Sequence, residues 1–164
     1  MAKASRDNIS EDLDFQTWWL LHQTRDVVFL MRSRELSQYG ITAEQAAILF
    51  TVKLLSDKKR KITPGEISKW TLREPHSVSK ILSRMEKEGY ISKATGLGKK
   101  KNEVHITLTE KGEQAYRSSL NRESIRSVMS DFSKEERQQL NALLTRLRDK
   151  ALRDLTQKRT DVFP

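Results

Sequence analysis

The sequence predicts a mainly α-helical fold with one small β-hairpin, which places it in the α+β class. Helix-start signals and apolar residues at helical spacing recur along most of the chain. Residues 90–108 are the exception, because polar and apolar residues alternate there in two short segments around a loop with two glycines. A length of 164 residues indicates one compact domain, or one domain with an oligomerisation extension.

The composition excludes several kinds of site. The chain has no cysteine, so disulfides, zinc–thiolate sites and thiol-based sensing of oxidants are excluded. With 32% charged residues and no run near the roughly 18 apolar residues of a membrane span, a soluble protein is expected. The first residues lack the apolar core of a secretory signal, so we expect the protein in the cytoplasm.

Two helices are expected in the first third of the chain. Ser10 is the predicted N-cap of the first helix, which continues to about Leu36 and is unusually aromatic. Thr42 and Gln45 have the spacing of a capping box, in which each side chain bonds the backbone N–H of the other residue. They are expected to start a second helix that ends near Leu55.

Two shorter helices follow in close succession. The sequence T-P-G-E at residues 63–66 combines a capping box with proline at the first helical position, so a helix is expected to run to about Trp70. The next helix is expected to begin at Pro75 and to end at Gly89, where a left-handed glycine would stop it. Its predicted apolar stripe consists of Val78, Ile81, Leu82 and Met85.

The opposite face of this second short helix carries small polar groups and cations, with no carboxylate near its middle. A solvated helix ordinarily mixes both signs of charge. Base edges and phosphates need hydrogen-bond donors and cations, so the face is predicted to bind DNA. Its residues are His76, Ser79, Lys80, Ser83, Arg84 and Lys87.

Positive charge is concentrated in the middle of the chain. Residues 58–101 contain thirteen basic and four acidic residues, which accounts for the whole net charge of +9. A polyanion is therefore the expected partner. The predicted hairpin strands cover residues 90–95 and 103–108, and three lysines lie in the loop between them. The basic loop at residues 58–61 is predicted to contact a phosphate backbone, and the alternative is a solvated loop without a partner.

Two further helices are expected after the hairpin. Thr109 is predicted to cap the first of them, which is expected to reach Phe132. Ser133 and Glu136 form a third capping box, and leucines at nearly heptad spacing continue the last helix to Leu155. The apolar stripes of the first helix and of these two helices are too long for one small DNA-binding module to cover. They need a partner.

Helix, turn, helix and basic wing, followed by L-T-E-K-G, resemble the winged helix-turn-helix of the multiple-antibiotic-resistance regulator (MarR) family. The most specific pieces are E-P-H-S-V-S-K-I-L-S-R-M-E-K-E-G-Y-I and L-T-E-K-G at their mutual spacing. Residues 39–45 are also similar to that family's entry into its second helix. The resemblance implies an N-terminal dimerisation helix at 1–40, a winged helix-turn-helix DNA-binding domain at 41–109 and C-terminal dimerisation helices at 110–164.

The resemblance and the uncovered stripes together imply a two-fold homodimer. It would hold two recognition helices roughly 34 Å apart, one turn of B-DNA, on a near-palindromic site. The wing of the family usually carries an Asp followed by an Arg that enters the minor groove, whereas this chain has Lys100 and Lys101 there. A lysine enters a narrow groove as a point charge, without the fixed geometry of a guanidinium held by Asp.

The predicted DNA contacts fall into three groups, on the recognition helix, beside it and on the wing. Arg84 is predicted to pair with guanine, and Lys80 with guanine or phosphate. Two alternatives stay open, because Ser77 can cap the helix locally and Arg84 can pair with Glu88. The full set is His76, Ser77, Ser79, Lys80 and Arg84 on the helix, Lys69 and Arg73 toward the DNA backbone, and Lys99, Lys100 and Lys101 on the wing.

The resemblance also implies an effector pocket, since relatives often bind small aromatic or phenolic effectors between the dimerisation helices and the DNA-binding lobe. The candidate lining is Trp18, Trp19, His22 and Tyr39. The alternative is that these side chains belong to the dimer core, as aromatic residues at helical spacing commonly do. An effector would release DNA only if it bound the DNA-incompetent arrangement more tightly.

The sequence therefore predicts a transcriptional regulator, most simply a repressor, that binds double-stranded promoter DNA. No catalytic residue, metal or cofactor is expected, because the three histidines lie on different elements and no Gly-rich phosphate loop or nucleophile motif is present. An enzyme is thus the disfavoured class. The third class is an architectural protein, which would bind operator and random duplex with nearly equal affinity.

Overall fold

The computed structural model describes residues 12–95 and 104–160. Within these ranges the chain forms α-helices and one two-stranded sheet, as the sequence predicts. The chain divides into two compact units, of which the first ends at Ser124 and the second begins at Ile125. In chain order the elements are α1 (Leu13–Ser37), α2 (Ala43–Asp57), α3 (Pro64–Thr71), α4 (Pro75–Lys87), β1 (Ile91–Thr95), β2 (Val104–Leu108), α5 (Glu110–Ser119), α6 (Glu123–Met129) and α7 (Lys134–Thr160).

The first unit buries its apolar core between α2, α3, α4, α5 and the sheet. Each element contributes one face, since its apolar residues recur with the period of a helix or of a strand. The packing holds α3 and α4 in a fixed relation to the hairpin. The side chains with 1% exposure or less include Leu49, Leu55, Ile67, Met85 and Ile106.

The start of α1 differs from the prediction, which placed the N-cap at Ser10. Asp12 caps the helix, because its Oδ1 accepts a hydrogen bond from the N–H of Phe15 at 3.0 Å. Ser10 lies outside the described residues. Serine and aspartate are about equally good N-caps, so the local sequence did not distinguish the two starts. Within the single chain, α1 is buried only near its end, at Glu35 and Leu36.

The N-caps of α2 and α3 explain where these helices begin. The capping box of α2 is confirmed: Thr42 Oγ1 accepts from the N–H of Gln45 at 3.2 Å, and Gln45 Oε1 accepts from the N–H of Thr42 at 2.8 Å. At α3, Thr63 Oγ1 accepts from the N–H of Glu66 at 3.2 Å. A complete capping box would also have the Glu66 side chain accept a hydrogen bond from the N–H of Thr63. The carboxylate of Glu66 contacts two cations instead, so the second predicted box is half formed.

The hairpin follows α4 after the predicted glycine stop. Gly89 has a φ of +78°, which confirms the left-handed end of this helix. β1 and β2 pair antiparallel, with Ile91 opposite Leu108. The N–H of Ile106 also donates to the carbonyl of Ile62 at 2.9 Å, which attaches the segment before α3 to the sheet. These bonds fix the base of the hairpin against the helix-turn-helix segment.

The single helix predicted after the hairpin is wrong, because α5 and α6 occupy this stretch with a break at residues 120–122. The guanidinium of Arg32 on α1 donates to the carbonyls of Ser119 at 2.5 Å and Asn121 at 2.6 Å. Glu35 accepts a hydrogen bond from the first N–H of α6. Side chains of α1 therefore satisfy the backbone groups that the break exposes.

The second unit is dominated by α7. The third predicted capping box is confirmed, since Ser133 Oγ accepts from the N–H of Glu136 at 3.1 Å and Glu136 Oε2 accepts from the N–H of Ser133 at 2.8 Å. The helix continues to Thr160, beyond the end predicted at Leu155. Among the helices in the described ranges, none combines the length and the apolar character that crossing a bilayer requires.

Candidate nucleic-acid interface

Helices α3 and α4 and the turn between them form a helix-turn-helix. Leu72 has a left-handed backbone with a φ of 53°, which turns the chain sharply after α3. Ser68 Oγ donates to the carbonyl of Arg73 at 2.6 Å and closes the turn. Pro75 then occupies the first position of α4, where its missing N–H costs no hydrogen bond. The fully buried side chains of α4 are Val78, Leu82 and Met85.

The face of α4 opposite its buried stripe is exposed to solvent. Val78, Leu82 and Met85 form this stripe, so helical geometry directs the side chains on the other side of the helix away from the core. The exposed side chains carry imidazole, hydroxyl, ammonium and guanidinium groups, which donate hydrogen bonds. The sequence-predicted contacts that the structure brings together on this surface are His76, Ser77, Ser79, Lys80 and Arg84.

Arg84 and Lys80 stay available to an anion. The Nε of Arg84 lies 3.9 Å from Glu88 Oε1, and the two side chains are 53% and 40% exposed. A solvent-screened pair at this distance contributes about 0–1 kcal/mol, so a phosphate or a guanine can replace Glu88 with little loss. Lys80 is exposed one turn earlier on the same helix.

Lys69 and Arg73 extend the positive surface from α4 to α3 and the turn. Lys69 Nζ lies 3.0 Å from Glu66 Oε1, and its side chain is 76% exposed. Arg73 Nη2 lies 3.9 Å from Glu44 Oε1, and these side chains are 34% and 32% exposed. Lys69 is therefore in a direct but solvent-exposed ion pair, and Arg73 is in a longer one, at the edge of the helix-turn-helix.

The wing is described at its base. The hydroxyls of Ser92 and Thr107 lie 2.7 Å apart across the two strands. Lys93 Nζ is 2.8 Å from Glu86 Oε2, an ion pair that joins β1 to α4. These contacts orient the hairpin relative to α4. The three lysines predicted for the tip, Lys99, Lys100 and Lys101, lie outside the described residues, and their role stays a prediction.

Comparison with known proteins identifies the helix-turn-helix and its hairpin as a winged helix domain. The profile of a family described as winged helix DNA-binding domain matches residues 41–112. The organohalide-sensing transcriptional regulator RdhR, in its ligand-free crystal structure, has a TM-score of 0.78 and 30% sequence identity, and the match covers 93% of this chain and 89% of that one. Its 2,4-dichlorophenol-bound structure gives the same values.

Two DNA complexes share the fold. MarR from E. coli, crystallised with operator DNA, has a TM-score of 0.74 at 19% identity over 86% of this chain and 98% of MarR. The S. aureus MepR–DNA complex has a TM-score of 0.72 at 23% identity over 80% of this chain and 96% of MepR.

The chain belongs to the MarR family. It is thus a winged helix DNA-binding transcriptional regulator. A search of curated protein sequences gave no significant match.

Three of the four candidate effector residues of this MarR-family chain lie together on α1. The ring centroids of Trp18 and His22 are 5.8 Å apart, and those of Trp19 and His22 are 5.7 Å apart with the rings stacked. Trp18 and Trp19 are 53% and 47% exposed in the single chain. Tyr39 follows the opposite end of α1, where its hydroxyl accepts a hydrogen bond from Asn121 Nδ2 at 2.8 Å.

The sequence did not predict a buried ionic cluster near the end of α1. Arg32 Nη1 lies 2.5 Å from Glu35 Oε2, and the two side chains are 17% and 9% exposed. Glu35 also accepts hydrogen bonds from the N–H of Glu123 at 2.7 Å and from the hydroxyl of Ser124. The only sequence signal was an Arg and a Glu at i,i+3 spacing, which is common on solvated helices.

Burial and hydrogen bonding act in opposite directions on the carboxyl of Glu35. Burial alone would raise its pKa, but hydrogen bonds from Ser124, Arg32 and the N–H of Glu123, together with the charge of Arg32, lower the pKa below the ordinary value. The carboxylate is therefore ionised at neutral pH. The cluster fixes the corner between α5 and α6 to α1.

Proposed function

We propose that the chain is a homodimeric, sequence-specific repressor that binds a near-palindromic promoter site. The observation that carries the proposal is the surface of α4, where donors and cations occupy the positions opposite a completely buried stripe. A DNA groove suits this combination, because base edges need hydrogen-bond donors and phosphates need cations. Membership in the MarR family supports the proposal.

The proposed contacts have distinct roles. Arg84 donates to guanine O6 and N7 in the major groove, and Lys80 contacts guanine or a phosphate. His76, Ser77 and Ser79 bond base edges or flanking phosphates from the first turns of α4. The cations beside α4 and on the wing hold the DNA backbone. These cations are Lys69, Arg73, Lys99, Lys100 and Lys101.

Dimerisation is proposed for the regions outside the DNA-binding domain. We assign residues 41–109 to DNA binding, and residues 1–40 and 110–164 to the dimer. The apolar side chains of α1 support this assignment, since Leu13 is 72% exposed and Leu20 is 64% exposed in the single chain. A second copy that covers them would place two α4 helices about 34 Å apart, one turn of B-DNA.

A phenolic effector is proposed to release the DNA. RdhR, at 30% identity, has a structure with bound 2,4-dichlorophenol, which makes this compound the first ligand to test. The ring of Trp18 and the stacked rings of Trp19 and His22 supply aromatic surface for such a ligand. Tyr39 completes the candidate set if a dimer brings the end of one α1 near the aromatic cluster of the other. The alternative role of these residues is the dimer core.

Two other classes compete with this proposal. An architectural protein would use the same cations on phosphates of any sequence. An enzyme is disfavoured, because the relative with 30% identity is a transcriptional regulator and the sequence carries no catalytic motif. A repressor acts where promoter DNA is, which we propose to be the cytoplasm.

The deciding experiment selects bound duplexes from a random-sequence pool with the purified protein. The recovered consensus and a scrambled duplex of equal length then compete for binding at one fixed salt concentration. A sequence-specific repressor should prefer the consensus by at least about a thousandfold, and the consensus should be near-palindromic. A ratio near one would favour the architectural class. Addition of 2,4-dichlorophenol to the complex then tests release.

A further inference from the structure

The loop between α2 and α3 carries a cationic surface that the reading of base pairs by α4 does not use. Four consecutive basic residues occupy positions 58–61, and all four are exposed. Lys58 is the C-cap of α2, and Lys59 has a left-handed backbone with a φ of 52°. A lysine with this φ is uncommon, since glycine and asparagine adopt the left-handed conformation more readily than other residues. The turn therefore directs the chain so that successive cations project from a short segment.

An aromatic ring holds two of these cations in place. Lys58 Nζ lies 5.3 Å and the guanidinium carbon of Arg60 lies 5.8 Å from the ring centroid of Trp70. Trp70 is 39% exposed, so the ring forms part of the surface. A neutral ring attracts cations without cancelling their charge, whereas a carboxylate would neutralise them. The contact therefore positions both charges and leaves Lys58 available to an anion, whereas Arg60 also lies 3.2 Å from a carboxylate oxygen of Glu66.

One carboxylate links this cluster to the helix-turn-helix. Glu66 contacts Arg60 Nη2 at 3.2 Å through one oxygen and Lys69 Nζ at 3.0 Å through the other. Glu66 thus holds Arg60 of the loop close to Lys69 of α3, which is already a proposed backbone contact. An open cleft of about 330 Å³ lies along this line. It is lined by Arg60, Lys61, Thr63 and Glu66.

The loop differs in charge from an ordinary solvated surface of the same protein. On α7, Lys150 pairs with Asp154 at 2.5 Å and Arg148 pairs with Asp149 at 2.8 Å. Residues 57–71 contain five cations and two carboxylates, Asp57 and Glu66. A dense excess of one sign repels itself unless a polyanion covers it. The five cations are Lys58, Lys59, Arg60, Lys61 and Lys69.

We propose that Lys58, Lys59, Arg60 and Trp70 form a second DNA-contact surface, which holds the phosphate backbone of the duplex flanking the base pairs read by α4. The proposal rests on the DNA-binding function proposed above and extends the footprint of each protomer beyond its half-site. Continuity with Lys69 makes double-stranded DNA the occupant, because a backbone contacted at Lys69 continues along the same strand. The surface adds affinity and salt dependence and reads no sequence.

The test compares two duplexes that share the selected consensus. One ends at the outer base pairs of the two half-sites, and the other adds about ten base pairs, one helical turn, on each side. Lys58→Gln/Arg60→Gln removes two charges with little change in side-chain length, and the short duplex serves as the internal control. Affinity is measured by fluorescence anisotropy over a series of salt concentrations.

The loop variant should bind the extended duplex at least about fivefold more weakly than the unmodified protein, and the short duplex with nearly equal affinity. Its slope of log affinity against log salt on the extended duplex should fall by about 0.9 for each phosphate that the loop no longer neutralises. Trp70→Leu should reproduce part of the loss and Trp70→Phe should retain affinity, because phenylalanine keeps a ring for the cations.

Equal binding of the extended duplex by the loop variant would overturn the proposal. An equal loss on both duplexes would also overturn it, since the loop would then act at the half-sites or on folding, which thermal unfolding of the variant distinguishes. These outcomes are separate from failure of the proposed function. If the proposed function failed, the unmodified protein would bind the short consensus duplex no better than a scrambled one.

Discussion

Gly112 packs directly against the carbonyl of Tyr90. A Cβ built on Gly112 would lie 2.0 Å from that oxygen, far inside contact distance. The same carbonyl accepts a hydrogen bond from the N–H of Thr109 at 3.1 Å, and Thr109 Oγ1 donates to the carbonyl of Gly89 at 2.6 Å. The L-T-E-K-G motif thus joins the start of α5 to the end of α4, and its glycine is required by close packing.

Gly112→Ala should destabilise the fold. The obstructing atom belongs to the backbone, so the clash requires α5 or β1 to shift, at an expected loss of about 2 kcal/mol or more in the free energy of unfolding. Gly65→Ala is the matched control, because its Cβ would meet only Thr63 Oγ1 at 3.9 Å and should change stability by less than about 0.5 kcal/mol. Urea unfolding measures both, and equal stability of the two variants would contradict the close packing of Gly112.

Glu35→Gln should weaken the attachment of the α5–α6 corner. The variant loses the ion pair with Arg32 and leaves that guanidinium partly buried, so roughly 2 kcal/mol of stability should be lost at neutral pH. The pKa of Glu35 is lowered in the folded state. Its contribution is therefore fully present above the unfolded pKa and is lost as the pH falls through the lower, folded pKa.

The free energies of unfolding of the unmodified protein and of Glu35→Gln should thus converge as the pH falls. Urea unfolding from pH 7 to about pH 3.5 should show a larger loss of stability for the unmodified protein than for Glu35→Gln, because only the former has this carboxyl to protonate. Parallel pH profiles would mean that Glu35 does not carry the pKa shift. Far-UV circular dichroism at pH 7 checks that the variant retains its helices.

Lys80→Ala and Arg84→Ala should each weaken binding to the selected consensus. Loss of a base contact costs about 1–3 kcal/mol, so Kd should rise between about fivefold and 150-fold. Arg84→Ala should also relax the preference for guanine at one position of each half-site. Unchanged binding by both α4 variants in a gel-shift series would mean that α4 does not read the groove.

Replacement of Lys99, Lys100 and Lys101 by alanine should weaken binding to every sequence. The wing is expected to contact phosphates, so the triple variant should lose affinity for consensus and scrambled duplexes to a similar degree. The slope of log affinity against log salt should fall by about 0.9 for each phosphate that the wing no longer neutralises. An unchanged slope would exclude a phosphate-contacting wing.

Trp18→Ala/Trp19→Ala should weaken dimerisation. Both indoles are about half exposed in the single chain, and a partner that covers them would gain apolar burial and ring contacts. Sedimentation equilibrium should show a dimer for the unmodified protein at micromolar concentration and a larger monomer fraction for the variant. A stable monomer of the unmodified protein would remove the dimer and the half-site spacing derived from it.

Much of the candidate interface was predictable because its determinants are local. The stripe of α4 lies within two helical turns, the caps at Thr42, Thr109 and Ser133 bond atoms three residues away, and Gly89 ends α4 within the same segment. The surface of α4 follows directly from this stripe, since burial of one face exposes the other. The organisation of Lys58 and Arg60 around Trp70 was not predictable, because the ring lies ten or more residues farther along the chain.

The sequence by itself determined which segments become helices and strands, which face of α4 is buried and where the positive charge is concentrated. Hydrogen bonds and side-chain periods that span three to seven residues are sufficient for these features. Only the tertiary structure decided that the helix expected after the hairpin divides into α5 and α6. That break depends on Arg32, which donates to the carbonyl of Ser119 across 87 residues of sequence, a contact that no local pattern specifies.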